Sequence, residues 1–231
     1  MKRLALIALF ASLFLSVKKA DASFATENSS KELPVKITPA KKDEGNVMAL
    51  MISGDGGWTN FDQDIASALA EKNIPVVGLN ALKYFWKAKS PRQTTQDVTQ
   101  LIEHYSALWH KSRIILIGYS FGADVMPFVY NRLVPALKQK VVSVGLLSPS
   151  RSTDFEVHVG DLVSLGGDDR QYQVFPEIGR MKYNKVFCFY GKEEDGFPVD
   201  EIPKEACTLI AVEGGHHYDH ASEQIAGELI L

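Results

Sequence analysis

The chain has 231 residues, with 25 Lys and Arg against 28 Asp and Glu and a formal net charge of −3. That length suffices for one domain with a sizeable core. A charge so near balance argues against a nucleic-acid binder, and no nucleic-acid partner is expected.

The first residues read MKRLALIALFASLFLSVKKADAS. Lys2 and Arg3 make a basic start, Leu4 to Leu15 is nearly all apolar, and Ala20 to Ala22 supply a small-x-small cleavage pattern. These are the three parts of a secretory signal peptide. The apolar run is shorter than the ~20 residues of a membrane span, which disfavours an uncleaved anchor. Residues 1–22 are therefore read as a signal peptide cleaved near Ala22, and the mature chain as exported. Residues 23–45 form a polar, exposed lead-in, in which LPVKI has the pattern of an edge strand. Residues 46–231 are read as one catalytic domain.

Within that domain, VMALMIS (47–53), IPVVGL (74–79), RIILIG (113–118), VVSVGLL (141–147), VFCFY (186–190) and TLIAV (208–212) are short, apolar and rich in β-branched residues. They lack strict alternation, as strands covered on both faces do. Helical patterns lie between them. FDQDIASALAEKN carries apolar residues at helical spacing; SPRQTTQDVTQLIEHYSALWHK opens with Ser90 as N-cap and Pro91 at the first helical position; ASEQIAGELIL ends the chain. This alternation predicts an α/β fold, a mostly parallel central sheet with helices on both faces. Two cysteines, Cys188 and Cys207, would be free to pair in an oxidising compartment if their Cα atoms lie within about 7 Å.

IILIGYSFGADV holds the main chemical signal. Gly118-Tyr119-Ser120-Phe121-Gly122 matches G-x-S-x-G between a buried strand and a helical stretch, the context of the nucleophile elbow of α/β-hydrolases. The turn is strained, so its glycines let neighbouring backbone approach closely. Pro127 should kink the following helix or leave a bonded turn incomplete. The glycine-rich SGDGGW after the first core strand matches neither a P-loop nor G-x-G-x-x-G. It stands where such folds donate an oxyanion amide; Asp55, Gly56 and neighbours up to Trp58 are the candidates, paired with the amide of Phe121.

The base follows the last core strand in this chain order. GGHHYDH packs His216, His217 and His220 into five residues, and His216 or His217 is the candidate. A metal site would need three or four converging ligands and an H-E-x-x-H-like signature, which is absent; no metal and no cofactor are expected. The acid belongs after VFCFY, in GKEEDGFPVD, where Asp195 is the first choice and Glu194 the alternative. Asp154 or Glu156 after VVSVGLL is the remaining option.

SGDGGW, YFW, GYSFGADVMPFVYNRL, LLSPS, FEVHV and GGHHYD, in this order and spacing, resemble the VirJ family of bacterial virulence proteins, including the C-terminal domain of its AcvB-type relatives. The resemblance implies a periplasmic α/β-hydrolase with Ser120 as nucleophile and a base in His216-His217. The AcvB-type members hydrolyse lysyl-phosphatidylglycerol, and the family is linked to type IV secretion. The implied substrate is thus a lipid or small ester, with transient contact to a membrane surface and to secretion-system proteins.

Two carboxylates near the expected site, Asp55 and Asp124, would suit the amines of a lysyl ester. In LKYFWKAK, Tyr84, Phe85 and Trp86, with Trp58, would wall the pocket or rest in a lipid interface, and Lys83, Lys87 and Lys89 would meet anionic head groups. The other reading of the aromatic run is ordinary packing. Three functions remain open: a serine esterase with a Ser-His-Asp triad acting on lysyl-phosphatidylglycerol, a general carboxylesterase or thioesterase, and a non-catalytic secretion scaffold.

Overall fold

The computed structural model describes residues 33–158, 170–182, 185–218 and 220–230. The expected signal peptide, residues 1–22, lies outside the described residues.

Seven strands form one sheet in the order β1-β3-β2-β4-β5-β8-β9. They are β1 (Val35–Thr38), β2 (Val47–Ile52), β3 (Val76–Leu79), β4 (Arg113–Tyr119), β5 (Val141–Leu147), β8 (Lys185–Gly191) and β9 (Thr208–Val212). Only β1 runs antiparallel, with Val35 opposite Leu79 at the sheet edge. The other pairs are parallel. All six apolar runs became strands, and LPVKI became the edge strand.

Side chains alternate along β2 between two apolar layers. Met48, Leu50 and Ile52 pack with α3 (Pro91–Leu108) and α4 (Phe121–Arg132) on one face. Ala49 and Met51 pack with α1 (Asn60–Glu71) and α7 (Ser222–Ile230) on the other. Both faces are apolar because both are covered, which is why the sequence shows runs rather than alternation. Met48 to Ile52 are fully buried; at about 25 cal/mol per Å2, Met48, Leu50, Met51 and Ile52 each contribute roughly 1.5–3 kcal/mol.

The helix boundaries follow their caps. Ser90 Oγ accepts the Gln93 amide at 3.1 Å, with Pro91 in the first turn. Asp62 accepts the Thr59 amide at 2.8 Å at the start of α1. Pro127 does not interrupt α4, which is continuous from Phe121 to Arg132 and buried along most of its length. The proline instead deprives the Ala123 carbonyl of its donor one turn back. Between β5 and β8 lies an insertion with the paired β6 (Ser152–Thr153) and β7 (Tyr172–Gln173), leading into the short α6 (Val174–Ile178). Among the described residues, five short elements have no counterpart in the sequence patterns: α2 (Ala81–Tyr84), α5 (Pro135–Lys138), β6, β7 and α6.

The parallel strands end along one edge at residues 52, 79, 119, 147, 191 and 212. Every loop that carries a candidate site residue leaves from that edge, where open α/β sheets bind ligands.

Candidate active site

Ser120 caps β4 at φ 52°, ψ −117°, a left-handed conformation that costs a non-glycine residue about 1–3 kcal/mol. The flanking glycines are required by contact. A Cβ on Gly118 would lie 2.2 Å from the Gly122 carbonyl oxygen, and one on Gly122 would lie 2.1 Å from that of Ile52. The Ser120 amide donates to the Leu147 carbonyl at 2.8 Å, which ties the elbow to the end of β5.

His216 Nε2 lies 3.0 Å from Ser120 Oγ, and His216 Nδ1 lies 2.6 Å from Glu194 Oε1. The structure thus chooses between the paired histidines. His217 is exposed and turns to the Tyr119 hydroxyl, 2.8 Å from its Nδ1. The same hydroxyl lies 3.2 Å from the His216 carbonyl.

The acid is a correction. Asp195 points to solvent, and Glu194, the alternative, faces the imidazole. The backbone explains the one-residue difference. Lys192 and Glu193 donate to the Val212 and Gly214 carbonyls, stitching the acid loop to the histidine loop, and the Glu194 amide turns back to Gly191. Gly191 allows this, since a Cβ there would lie 2.2 Å from the Gly215 carbonyl oxygen. Asp154, the more distant candidate, instead bonds His158 and Arg170. Glu156 is likewise not the partner of His216 Nδ1.

Glu194 is held from behind. Its Oε2 accepts the Ser148 hydroxyl at 2.6 Å and the Gly191 amide at 3.2 Å. Ser148 Oγ is in turn 2.5 Å from the Tyr218 hydroxyl, which also lies 3.2 Å from the Phe189 carbonyl. Burial pushes the Glu194 carboxyl up, but the bonds from His216, Ser148 and Gly191 outweigh it and hold the group below its ordinary value. Ser148 and Tyr218 sit at φ 49° each, so three strained residues meet at one site. Neither was a sequence candidate. The available signal was position: Ser148 stands at the carboxyl end of a core strand, and Tyr218 follows the histidine pair.

On the other side of Ser120, a Cβ on Gly54 would come within 3.6 Å of Ser120 Cβ, so the glycine-rich loop borders Ser120. The Phe121 amide is the first of α4 and has no acceptor within its own helix. The Asp55 amide follows Gly54 directly. The Gly56 amide is lost to this role, because it donates to Asp55 Oδ1 at 2.9 Å.

The substrate-binding candidates are mostly corrected. Trp58 lies flat on β3, where a Cβ on Gly78 would fall 1.9 Å from its ring, and it donates to Gln63 at 3.2 Å. Tyr84 is buried with its hydroxyl on Asp97 at 2.5 Å, and Phe85 is fully buried, its ring 4.9 Å from that of Phe121. Tyr84 and Phe85 are thus core residues of one apolar layer, and Trp58 is half-buried against the other. Trp86 alone is open to solvent, at 57% exposure. Asp124 is 5% exposed and accepts the Ser150 amide at 2.6 Å; burial pushes its carboxyl up to about 8. It anchors the loop after β5 rather than facing a ligand. Among the described residues, no three His, Cys, Asp or Glu side chains converge on a metal position.

Solved structures with this fold include esterases. Est1E from Butyrivibrio proteoclasticus is 13% identical, with a TM-score of 0.59 over 84% of this chain and 90% of its own. A lipase-esterase related protein from Clostridium acetobutylicum is 16% identical, with a TM-score of 0.60 over 85% and 98%. The esterase domain of a Rhodothermus marinus protein is 14% identical, with a TM-score of 0.60 over 84% and 90%. At such identities the likeness establishes the α/β-hydrolase fold. No curated protein matches the chain. The family described as bacterial virulence protein (VirJ) matches residues 46–231, which span the sheet from β2 onward and every residue of the Ser120–His216–Glu194 array, and the chain belongs to that family.

Proposed function

We propose that the protein is a periplasmic serine esterase with a Ser-His-Glu triad. The observation that carries this is the continuous line from Glu194 through His216 to Ser120, with contacts of 2.6 and 3.0 Å above a strained elbow. Ser120 Oγ attacks an ester carbonyl while His216 takes its proton, and Glu194 orients the imidazole and stabilises its charged form. The amides of Asp55 and Phe121 hold the oxyanion. His216 then protonates the leaving alcohol, and water clears the acyl-enzyme. A scaffold without activity has no need of this array.

The proposed substrate is the aminoacyl ester of lysyl-phosphatidylglycerol, in keeping with the family resemblance. Asp55 is the carboxylate at the site rim that suits a cationic acyl group. Exposed Trp86, flanked by exposed Lys83 and Lys87, suits transient contact with an anionic membrane surface, and the family's secretion link makes secretion-system proteins the proposed partners. Export rests on the three-part pattern of residues 1–22.

Fluorophosphonate labelling of wild type and Ser120→Ala tests the esterase reading. Labelling is expected in wild type only, and its absence from wild type would sink the reading. Vesicles containing lysyl-phosphatidylglycerol are then expected to release free lysine. Intact lipid beside cleaved short-chain esters or thioesters would leave a general esterase.

A further inference from the structure

The acid loop carries a second chemistry. Cys188 Sγ and Cys207 Sγ are 3.0 Å apart, and both residues are buried. The register pairs Phe187 with Thr208 and Cys188 with Leu209, so Cys207 stands diagonal to Cys188 across β8 and β9. Both side chains lie in the same apolar layer. The segment between them, residues 189–206, contains Glu194. The two thiols differ in access. Cys188 is fully buried, whereas Cys207 is 9% exposed and borders a surface groove of about 480 Å3, lined also by Lys185, Lys204, Glu205 and Glu228.

We propose that Cys188 and Cys207 are a reversible redox pair, with Cys207 the attacking thiol and Cys188 the resolving one, whose cystine closes the segment that presents Glu194. The Cys188 S–H donates to Cys207 Sγ, which favours thiolate on Cys207 and holds it below the ordinary thiol value, while Cys188 is pushed up. The oxidant is a disulfide reaching the groove. Cys207 thiolate attacks one of its sulfurs, the reagent's S–S bond breaks, and one thiolate leaves. Cys188, losing its proton to solvent, attacks Cys207 Sγ and expels the second thiol. Two electrons and two protons pass from the pair to the reagent, and reduction by a dithiol reverses each step.

In the thiol form the loop is held by weaker ties: the backbone bonds of Lys192 and Glu193, the stacked rings of Tyr190 and Phe197, and buried Ile202. The cystine adds a covalent closure, and its effect is read as thermal stability, independent of esterase activity.

The test uses the whole chain, equilibrated with oxidised or reduced glutathione, then acid-quenched, unfolded, alkylated and mapped by peptide mass. The oxidised protein is expected to be two hydrogens lighter, to resist alkylation and to yield a Cys188–Cys207 linked peptide. Its Tm should exceed that of the reduced form by roughly 6–12 °C. Cys188→Ser should stall with one glutathione on Cys207. Should that variant not fold, brief oxidation of wild type should still trap the first adduct on Cys207. Two alkylatable thiols after oxidation, a cystine that leaves Tm unchanged, or a first adduct on Cys188 would each overturn the proposal.

Discussion

Ser120 divides the site into two regions built in opposite ways. Toward His216, polar groups from four strand ends are linked in series: Tyr218 to Ser148, Ser148 to Glu194, Glu194 to His216, and His216 to Ser120. Toward the glycine-rich loop, the polar and aromatic residues mostly turn inward. Trp58 covers β3, Tyr84 and Phe85 join the core, and Asp124 anchors the loop at Ser150. The first region is fixed by directional bonds between rigid elements, which hold reacting groups to within fractions of an ångström. The second is fixed by packing and leaves little open toward a ligand beyond Asp55 and Trp86. Proximity in sequence to a catalytic loop therefore says little about facing the ligand.

The largest expected effect breaks the first region at its acid. Glu194→Gln keeps the shape but offers an amide where the Nδ1–H needs an anion, so kcat should fall about 10^3–10^4-fold. Asp195→Asn, one residue on, should leave kcat within about twofold, since that side chain is exposed. Steady-state kinetics on a short-chain ester reads both. Equal losses would return the acid to Asp195.

The same contrast explains what was legible beforehand. The six core strands announced themselves as apolar runs, because a sheet covered on both faces leaves no other pattern. Ser120 and the histidine pair were visible because chain order and strand ends fix them. The step from Asp195 to Glu194 was not visible, since it depends on Gly191 letting two loop backbones touch, a tertiary contact with no local signature. Tyr84 and Phe85 were ambiguous for a related reason. An aromatic run beside a site has the same composition whether it lines a pocket or fills a core, and only the position of Phe121 against Phe85 decides.

Asp124 gives a sharper test of the second region, through pH. Its folded value is raised to about 8 from 3.8, so between those values the folded state holds the proton that the unfolded state has lost. Stability should therefore fall as pH rises from about 4 to 8 and level off above, by roughly 5–6 kcal/mol. Asp124→Asn keeps an acceptor for the Ser150 amide and has no proton to lose. Thermal melts across this range should show the variant gaining on wild type with rising pH and exceeding it near pH 9. Parallel curves would mean that Asp124 is solvated and faces the ligand after all.

The smallest effect probes how deep the first region runs. Ser148 touches neither Ser120 nor the imidazole, and it acts through Glu194 as a positioning residue. Ser148→Ala leaves Glu194 Oε2 with the Gly191 amide alone, at 3.2 Å. The backbone demand at φ 49° is the same for Ala as for Ser, so stability should change little beyond the lost bonds to Glu194 and Tyr218, roughly 2–4 kcal/mol together. Loosened orientation should lower kcat roughly 10-fold. A second consequence separates positioning from mere packing. The Ser148 hydroxyl stabilises the ionised carboxylate, so its loss raises the Glu194 value from its lowered position. The array works only with Glu194 ionised, and the acid limb of the rate profile should therefore move to higher pH in Ser148→Ala. Tyr218→Phe, which leaves the Ser148 bond to Glu194 in place, should shift that limb less. A lowered rate with an unmoved acid limb would reduce Ser148 to a packing role and end the region at Glu194.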